Sequence, residues 1–213
     1  MTSFDLDAWL TTVSPLPPIV QAGATVLRRR ALEVAPSLLP TPAFARLVEV
    51  MVAAMRAAPG VGLAAPQIGV PLRVFVAEDD AGRMAHLSEE ARALRARLPL
   101  PLTVLVNPKV VPTSGDEAIF YEGCLSVRGY SALVRRAAAV AVTGMDADGH
   151  RVSLELAGWP ARIMQHEMDH LDGTLYVDRM LPRSLAGSEE IARLAALPVG
   201  EVIEDLVSPH DDD

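Results

Sequence analysis

The chain has 213 residues, of which 50% are hydrophobic and 22% charged, so it can bury a substantial core, and its single cysteine, Cys124, excludes an intrachain disulfide framework. A net charge of −8 argues against broad electrostatic attachment to nucleic acid, and the apolar runs are too short to cross a bilayer. The beginning, Met1-Thr2-Ser3-Phe4-Asp5, has neither the basic n-region nor the apolar h-region of a signal peptide, so the cytoplasm is the expected compartment.

A single domain is expected over residues 1–213, with an N-terminal extension to about residue 18 and a disordered tail from about residue 205. Residues 1–22 contain Pro15, Pro17 and Pro18 and should follow an irregular path before packing through Ile19 and Val20. Gly23 to Val34 can hold a short turn or helix; its Arg28-Arg29-Arg30 run reads as a solvated face. Thr41 is a good N-cap with Pro42 at the first helical position. Leu47, Val48, Met51, Val52 and Met55 then recur at helical spacing, with the methionines as core fillers, and the helix should end near Pro59-Gly60.

Gly60-Val61-Gly62-Leu63-Ala64-Ala65-Pro66-Gln67-Ile68-Gly69-Val70 has little side-chain bulk and predicts a loop that lets a ligand approach the main chain. It lacks the Lys-Ser/Thr ending of a phosphate-binding loop. Leu72 to Val76 reads as a strand, residues 78–101 as a polar insertion with a small surface helix, and Thr103 to Val106 as a second strand. After the apolar run Ala118 to Tyr121 comes Glu122-Gly123-Cys124-Leu125-Ser126. Two antiparallel strands are then expected between Ser131 and Leu156, turning at Asp146 to Gly149. Leu175 to Met180 suggests a last strand and Ser188 to Ala196 a helix. Without regular βαβ alternation, the pattern implies an α+β fold with mostly antiparallel sheets around a central helix.

That helix carries His166-Glu167-Met168-Asp169-His170, the H-E-x-x-H pattern, with Pro160 suited to its first turn and Gly173 to its end. Histidines four residues apart share a face, so both imidazoles can meet one metal ion while Glu167 remains free as a general base. The plainer alternative is a helix with one buried and one solvated histidine. A catalytic divalent metal commonly takes three protein ligands and keeps one open position. Two sources of the third ligand are open: a downstream carboxylate, Glu189 or Glu190, giving a zinc peptidase, or the thiolate of Cys124.

Gly60 to Gln67, Glu122 to Ser126 and Gln165 to Leu171 together resemble, in order, the three signature motifs of the peptide deformylases. The likeness spans about residues 19–180. Gly158-Trp159-Pro160-Ala161-Arg162-Ile163 is similar to the subgroup that includes organellar and some bacterial members. The resemblance implies removal of the formyl group from N-terminal formylmethionine of nascent chains, near the ribosome, with Cys124, His166 and His170 holding one divalent ion. Fe(II) is expected, with Zn, Ni or Co able to replace it. It further implies Glu167 as general base, and Gln67 with the Leu125 N–H as oxyanion donors, although Gln67 alone could equally be a loop-bracing amide. Val61, Gly62 and Gly123 would align the peptide as an added strand, and Ile163 with Val61 would receive the methionine side chain. Glu122 and Arg136 are expected to pair. Arg128 and Arg135 stand where the family often has proline, which leaves loop rigidity and peptide preference beyond methionine open.

Overall fold

The computed structural model describes residues 4–85 and 87–207. The N-terminal segment is more ordered than its prolines suggest. Asp5 caps helix α1 (Leu6–Thr11), its carboxylate accepting from the Ala8 N–H at 2.9 Å, and Leu6 is buried in the same apolar cluster as Phe44, Leu47 and Met51. Phe4, Trp9, Leu10 and Val13 pack against the same cluster, so an apolar face anchors a segment expected to wander. Helix α2 (Pro42–Ala57) begins as its sequence predicts, with the Thr41 hydroxyl accepting from the Phe44 N–H. Short helices α3 (Ala81–Met84) and α4 (Glu89–Leu94) occupy the expected insertion, followed later by α5 (Gly158–Leu171), α6 (Ser188–Leu194) and α7 (Val199–Val202).

Eight strands are present among the described residues: β1 (Gly62–Ala64), β2 (Val74–Asp79), β3 (Leu100–Pro112), β4 (Glu117–Cys124), β5 (Val127–Ala137), β6 (Ala139–Met145), β7 (Arg151–Ala157) and β8 (Ala186–Gly187). One antiparallel sheet has the order β1-β2-β3-β6-β7 and a second the order β4-β5-β8, giving the expected α+β class. The predicted strands were too short: β2 runs on through Glu78 and Asp79, and β3 absorbs the segment to Pro112, with Asn107 at φ +49° where its register with β6 shifts. The stretch from Ser131 to Leu156 also holds more than the predicted pair. Only β6 and β7 form the hairpin turning at Asp146 to Gly149; β5 pairs with β4 in the other sheet. Leu175 to Met180 is not a strand either. The Asp178 carboxylate accepts from the Leu175 N–H at 2.8 Å and closes a 3₁₀ turn over Tyr176–Asp178, leaving Met180 one isolated bridge to Val134.

Alternation along β2 explains how the layers stack. Val74 and Val76 join the apolar cluster of α2, whereas Phe75 and Ala77 join the cluster containing Ala161, Met164 and Leu171 of α5. The five-stranded sheet is therefore covered by α2 on one face and α5 on the other, which accounts for a strand buried along its whole length. Burying a side chain such as Phe75 contributes about 1.5–3 kcal/mol. Helix α5 is also pinned to the second sheet. The Gln165 side chain accepts from the Ala137 N–H at 3.1 Å and donates to its carbonyl at 2.9 Å, in the manner of an extra ladder rung. Residues 205–207 of the expected disordered tail lie in a π-helical turn over Ile203–Val207, and residues 208–213 lie outside the described part. No helix among the described residues is long and apolar enough to cross a membrane.

Candidate metal and active site

Helix α5 presents Trp159, Ile163, His166 and His170 on one face, following its 3.6-residue period. Strand β4 ends at Cys124 opposite the last two. The Cys124 Sγ lies 3.2 Å from His170 Nε2, and the nearest donor atoms of Cys124, His166 and His170 all fall within 4.8 Å of one another. Glu189 and Glu190 do not belong to this cluster. They sit in the first turn of α6, where Glu190 pairs with Arg193, so the cysteine and not a downstream carboxylate accompanies the two histidines.

The donor chemistry fits a divalent transition metal. Burial pushes His170 well below its usual range, so its imidazole is neutral and has a lone pair to give. His166 Nδ1 lies 2.9 Å from Glu122 Oε2. Burial alone would raise the Glu122 carboxyl, but hydrogen bonds from His166 and Arg136 outweigh it and hold the group well below the usual carboxylate range. An ionised carboxylate only accepts, so the proton belongs on Nδ1, and His166 Nε2 is left as the ligating atom. A thiol flanked by two such imidazoles suits Zn, Fe, Co or Ni better than Mg or Ca.

The Glu122–Arg136 pair is part of a larger buried network. Arg136 grips Glu122 through Nε at 3.0 Å and Nη2 at 2.9 Å, and Arg162 donates to the same carboxylate at 2.6 Å. The other arm of Arg136 reaches Asp169 at 2.5 Å, which also accepts from Arg179 at 2.8 Å. Arg162 further donates to the carbonyls of Val134 and Ala118. Tyr176 stacks against the His166 ring at 6.4 Å between centroids and donates its hydroxyl to the Tyr130 carbonyl. Arg162, Asp169 and Tyr176 had escaped sequence reasoning. The one available signal was spacing, because Arg162 precedes His166 by one helical turn and Asp169 follows it by three residues.

An open cleft of about 620 Å³ leads to the cluster. Of the residues singled out from sequence, Val61, Gly62, Gln67, Gly123, Cys124, Leu125, Ile163, His166 and Glu167 line it, while His170 is buried behind. Glu167 is 4% exposed, and burial raises its carboxyl to about 7; its Oε2 has no hydrogen-bond partner among the described residues. Gln67 is held by the Ala64 N–H, which donates to Oε1 at 2.8 Å, so its amide nitrogen points at Cys124 Sγ, 3.6 Å away, and at Ser126 Oγ, 3.3 Å away. Ser126 is fully buried, its own N–H directed at Cys124 Sγ at 3.4 Å; the sequence places it in a motif without giving it a role. The Leu125 carbonyl accepts from Gln21 at 3.0 Å, fixing the peptide unit beyond it.

Two sheet edges border the cleft, β1 and β4. The Val61 carbonyl accepts from the Glu78 N–H at 2.9 Å and therefore faces into its own sheet. By the alternation of an antiparallel ladder, Gly62 opposite Ala77 turns its N–H and C=O outward to the cleft. Of the three residues expected to align a peptide, Gly62 thus turns its backbone groups to the cleft, whereas the Val61 carbonyl is already engaged. Arg128 lines the cleft, and Arg135 meets Glu117 at 3.4 Å on the surface.

Residues 16–185 match the family model described as polypeptide deformylase. A curated relative named peptide deformylase 3, from Streptomyces avermitilis, is 50% identical over 90% of this chain and 83% of its own. The chloroplastic/mitochondrial peptide deformylase 1A of Arabidopsis thaliana is 47% identical over 79% of this chain and 63% of its own. Among solved structures, a Met-Ala-Ser-bound class I type b peptide deformylase from Acinetobacter baumannii superimposes with a TM-score of 0.70 at 32% identity, covering 79% of this chain and 100% of that one. With a family match across most of its length and relatives at about half identity, the chain belongs to the polypeptide deformylases.

Proposed function

We propose that this chain, as a member of a family of metal-dependent hydrolases, removes the formyl group from the N-terminal formylmethionine of newly made proteins in the bacterial cytoplasm, close to the ribosome. Cys124, His166 and His170 would hold one divalent ion, Fe(II) in the cell, with Zn, Ni or Co able to replace it. The observation that carries this reading is the gathering of one thiol and two imidazoles within 4.8 Å at the bottom of a cleft that Glu167 and Gln67 also line. The ion, when bound, acidifies water and polarises a carbonyl oxygen.

The remaining steps belong to side chains of this protein. Glu167 takes the proton of the attacking water as its oxygen bonds to the formyl carbon. The same carboxyl returns that proton to the amide nitrogen as the C–N bond breaks, releasing formate and a free amine. Negative charge that develops on the formyl oxygen meets the Leu125 N–H and the amide of Gln67, whose other end is held by the Ala64 N–H. Gly62 and Gly123, on facing sheet edges, supply main-chain bonds that are indifferent to sequence, as an enzyme acting on many proteins requires. Ile163 and Val61 flank the methionine side chain. The Met-Ala-Ser held by the Acinetobacter baumannii relative is the kind of product such a reaction leaves.

Release of formate from formyl-Met-Ala-Ser, with metal content measured on the same sample, tests this. Turnover should track bound metal, and acetyl-Met-Ala-Ser should be a far poorer substrate. Comparable rates on the two peptides would favour a general amidohydrolase, and no release from either would leave a peptide-binding module.

A further inference from the structure

The segment between β2 and β3 is tied to both walls of the cleft. From α3, Arg83 donates to the Gly60 carbonyl at the mouth of the glycine-rich stretch. Farther on, Ala96 adopts φ +42°, and its carbonyl accepts from the Trp159 N–H at 3.3 Å in the first turn of α5. The fit there is close, since a Cβ on Gly158 would lie 2.5 Å from Ala96 Cβ and 2.5 Å from its carbonyl oxygen.

The next residue is Arg97. Its guanidinium is clamped by the fully buried Asp79 at 2.7 and 3.1 Å, and it lies over the Trp159 ring at 5.2 Å. Arg162 approaches the same ring at 5.9 Å. Trp159 and Arg97 both line the cleft, and the indole Nε1 is buried without a hydrogen-bond partner among the described residues. Trp159 precedes His166 by seven residues of α5, which places it about 10 Å from the ligand pair along the helix axis. Ile163 lies between.

From this we infer that Arg97 is a specificity-determining residue: held over the Trp159 ring by Asp79, it closes the end of the pocket that receives the substrate's first side chain and so limits how long or broad that side chain is. The inference rests on the deformylase reading. A formyl carbon beside the Cys124–His166–His170 cluster and a side chain extending toward Ile163 would bring the tip of methionine to this wall. The segment from Asp80 to Leu98 thereby acquires a role, because it carries the residue that sets the pocket's depth. Both guanidiniums at the wall are already committed to buried carboxylates, Arg97 to Asp79 and Arg162 to Glu122, so neither brings an unpaired charge to the wall.

The test compares formyl-Met-Ala-Ser with formyl-Phe-Ala-Ser and formyl-Trp-Ala-Ser on the metal-loaded enzyme. Because Arg97→Ala alone would strand a buried Asp79 charge, the double variant D79N/R97A is the main probe, with R97K as the second. The lysine keeps the charge for Asp79 but loses the planar face. Expected in both is a rise of about tenfold in kcat/KM for the aromatic peptides relative to the methionine peptide, larger in the double variant and carried mainly by KM. Thermal unfolding confirms that each variant is folded. A ratio within about twofold of the parent in a folded variant overturns the inference, since filling or emptying a pocket by even one methylene is worth roughly tenfold or more. Failure of the parent enzyme to release formate from any of the three peptides would instead refute the deformylase reading.

Discussion

The carboxylate of Glu167 occupies the space that a side chain on Gly62 would need: a Cβ built there would lie 2.2 Å from Glu167 Oε1 and 2.6 Å from its carboxyl carbon. Real Cβ atoms do not approach so closely, so one of the two must move. Gly62 turns its backbone groups into the cleft and Glu167 lies on α5 between the candidate ligands His166 and His170, so this contact joins peptide alignment to proton transfer.

Gly62→Ala should therefore impair catalysis while sparing the metal. The methyl displaces Glu167 from the position where it meets the attacking water, and a displacement of about 1 Å can cost roughly 10²-fold in rate. Metal content and melting temperature should stay near those of the parent, because the ligands are carried elsewhere. Parent-like turnover in the alanine variant would show that the carboxylate's position is not critical.

Glu167→Gln isolates the chemical part of the same role. The amide retains size and burial but does not take the water proton. The variant should keep about one metal per chain and lose roughly 10²–10⁴-fold in kcat. Retention of more than about a tenth of the activity would remove Glu167 as general base.

Much of this site could be read from the sequence because its chemistry is local. His166, Glu167 and His170 lie within one turn and a half of helix, Thr41 and Pro42 announce α2 by capping rules, and Asp146 with Gly149 announces the β6–β7 turn. What escaped depends on choices of partner that are remote in the chain. Strand β5 looks like any other alternating segment, and only its pairing with β4 puts it in the second sheet. The partners of Arg162 and Asp169 are remote in the chain, since β4 and β5 carry the Glu122 and Arg136 that meet them. In α1 an apolar face of Leu6, Trp9 and Leu10 outweighed the signal of the prolines that follow.

Glu122→Gln should separate the support of His166 from ligation itself. Glu122 satisfies His166, Arg136 and Arg162 together, all within a buried region. Neutralising it leaves two guanidiniums short of charge, a loss of about 3–5 kcal/mol when a buried pair is broken from one side. It also leaves the His166 Nδ1 proton with a weaker acceptor, and loss of such support typically lowers metal affinity by about 10–100-fold. Denaturant unfolding measures the first effect and chelator competition the second. If stability falls and affinity does not, the network braces the fold without tuning the ligand.

The last prediction concerns Cys124 and oxidants. A thiolate bound to Fe(II) places a reducing metal beside an oxidisable sulfur, and the cleft that admits peptide also admits peroxide. Enzyme loaded with iron should lose turnover on exposure to peroxide, through conversion to Fe(III), oxidation of Cys124, or both. Nickel keeps a hydrolytic centre without the easily oxidised metal, so that form should survive much longer. Two features govern how far the sulfur itself is reached. Gln67 and the Ser126 N–H crowd one side of Sγ, at 3.6 and 3.4 Å, and His170 crowds another at 3.2 Å. Cys124 lines the cleft, so a bound Met-Ala-Ser should slow inactivation of the iron form. Formate release follows the decay, with mass spectrometry of the Cys124 peptide reporting oxygen added to sulfur. Equal decay of iron and nickel forms with an unmodified Cys124 would refute this account. If Cys124→Ser binds metal as tightly as the parent, the cysteine is not a ligand.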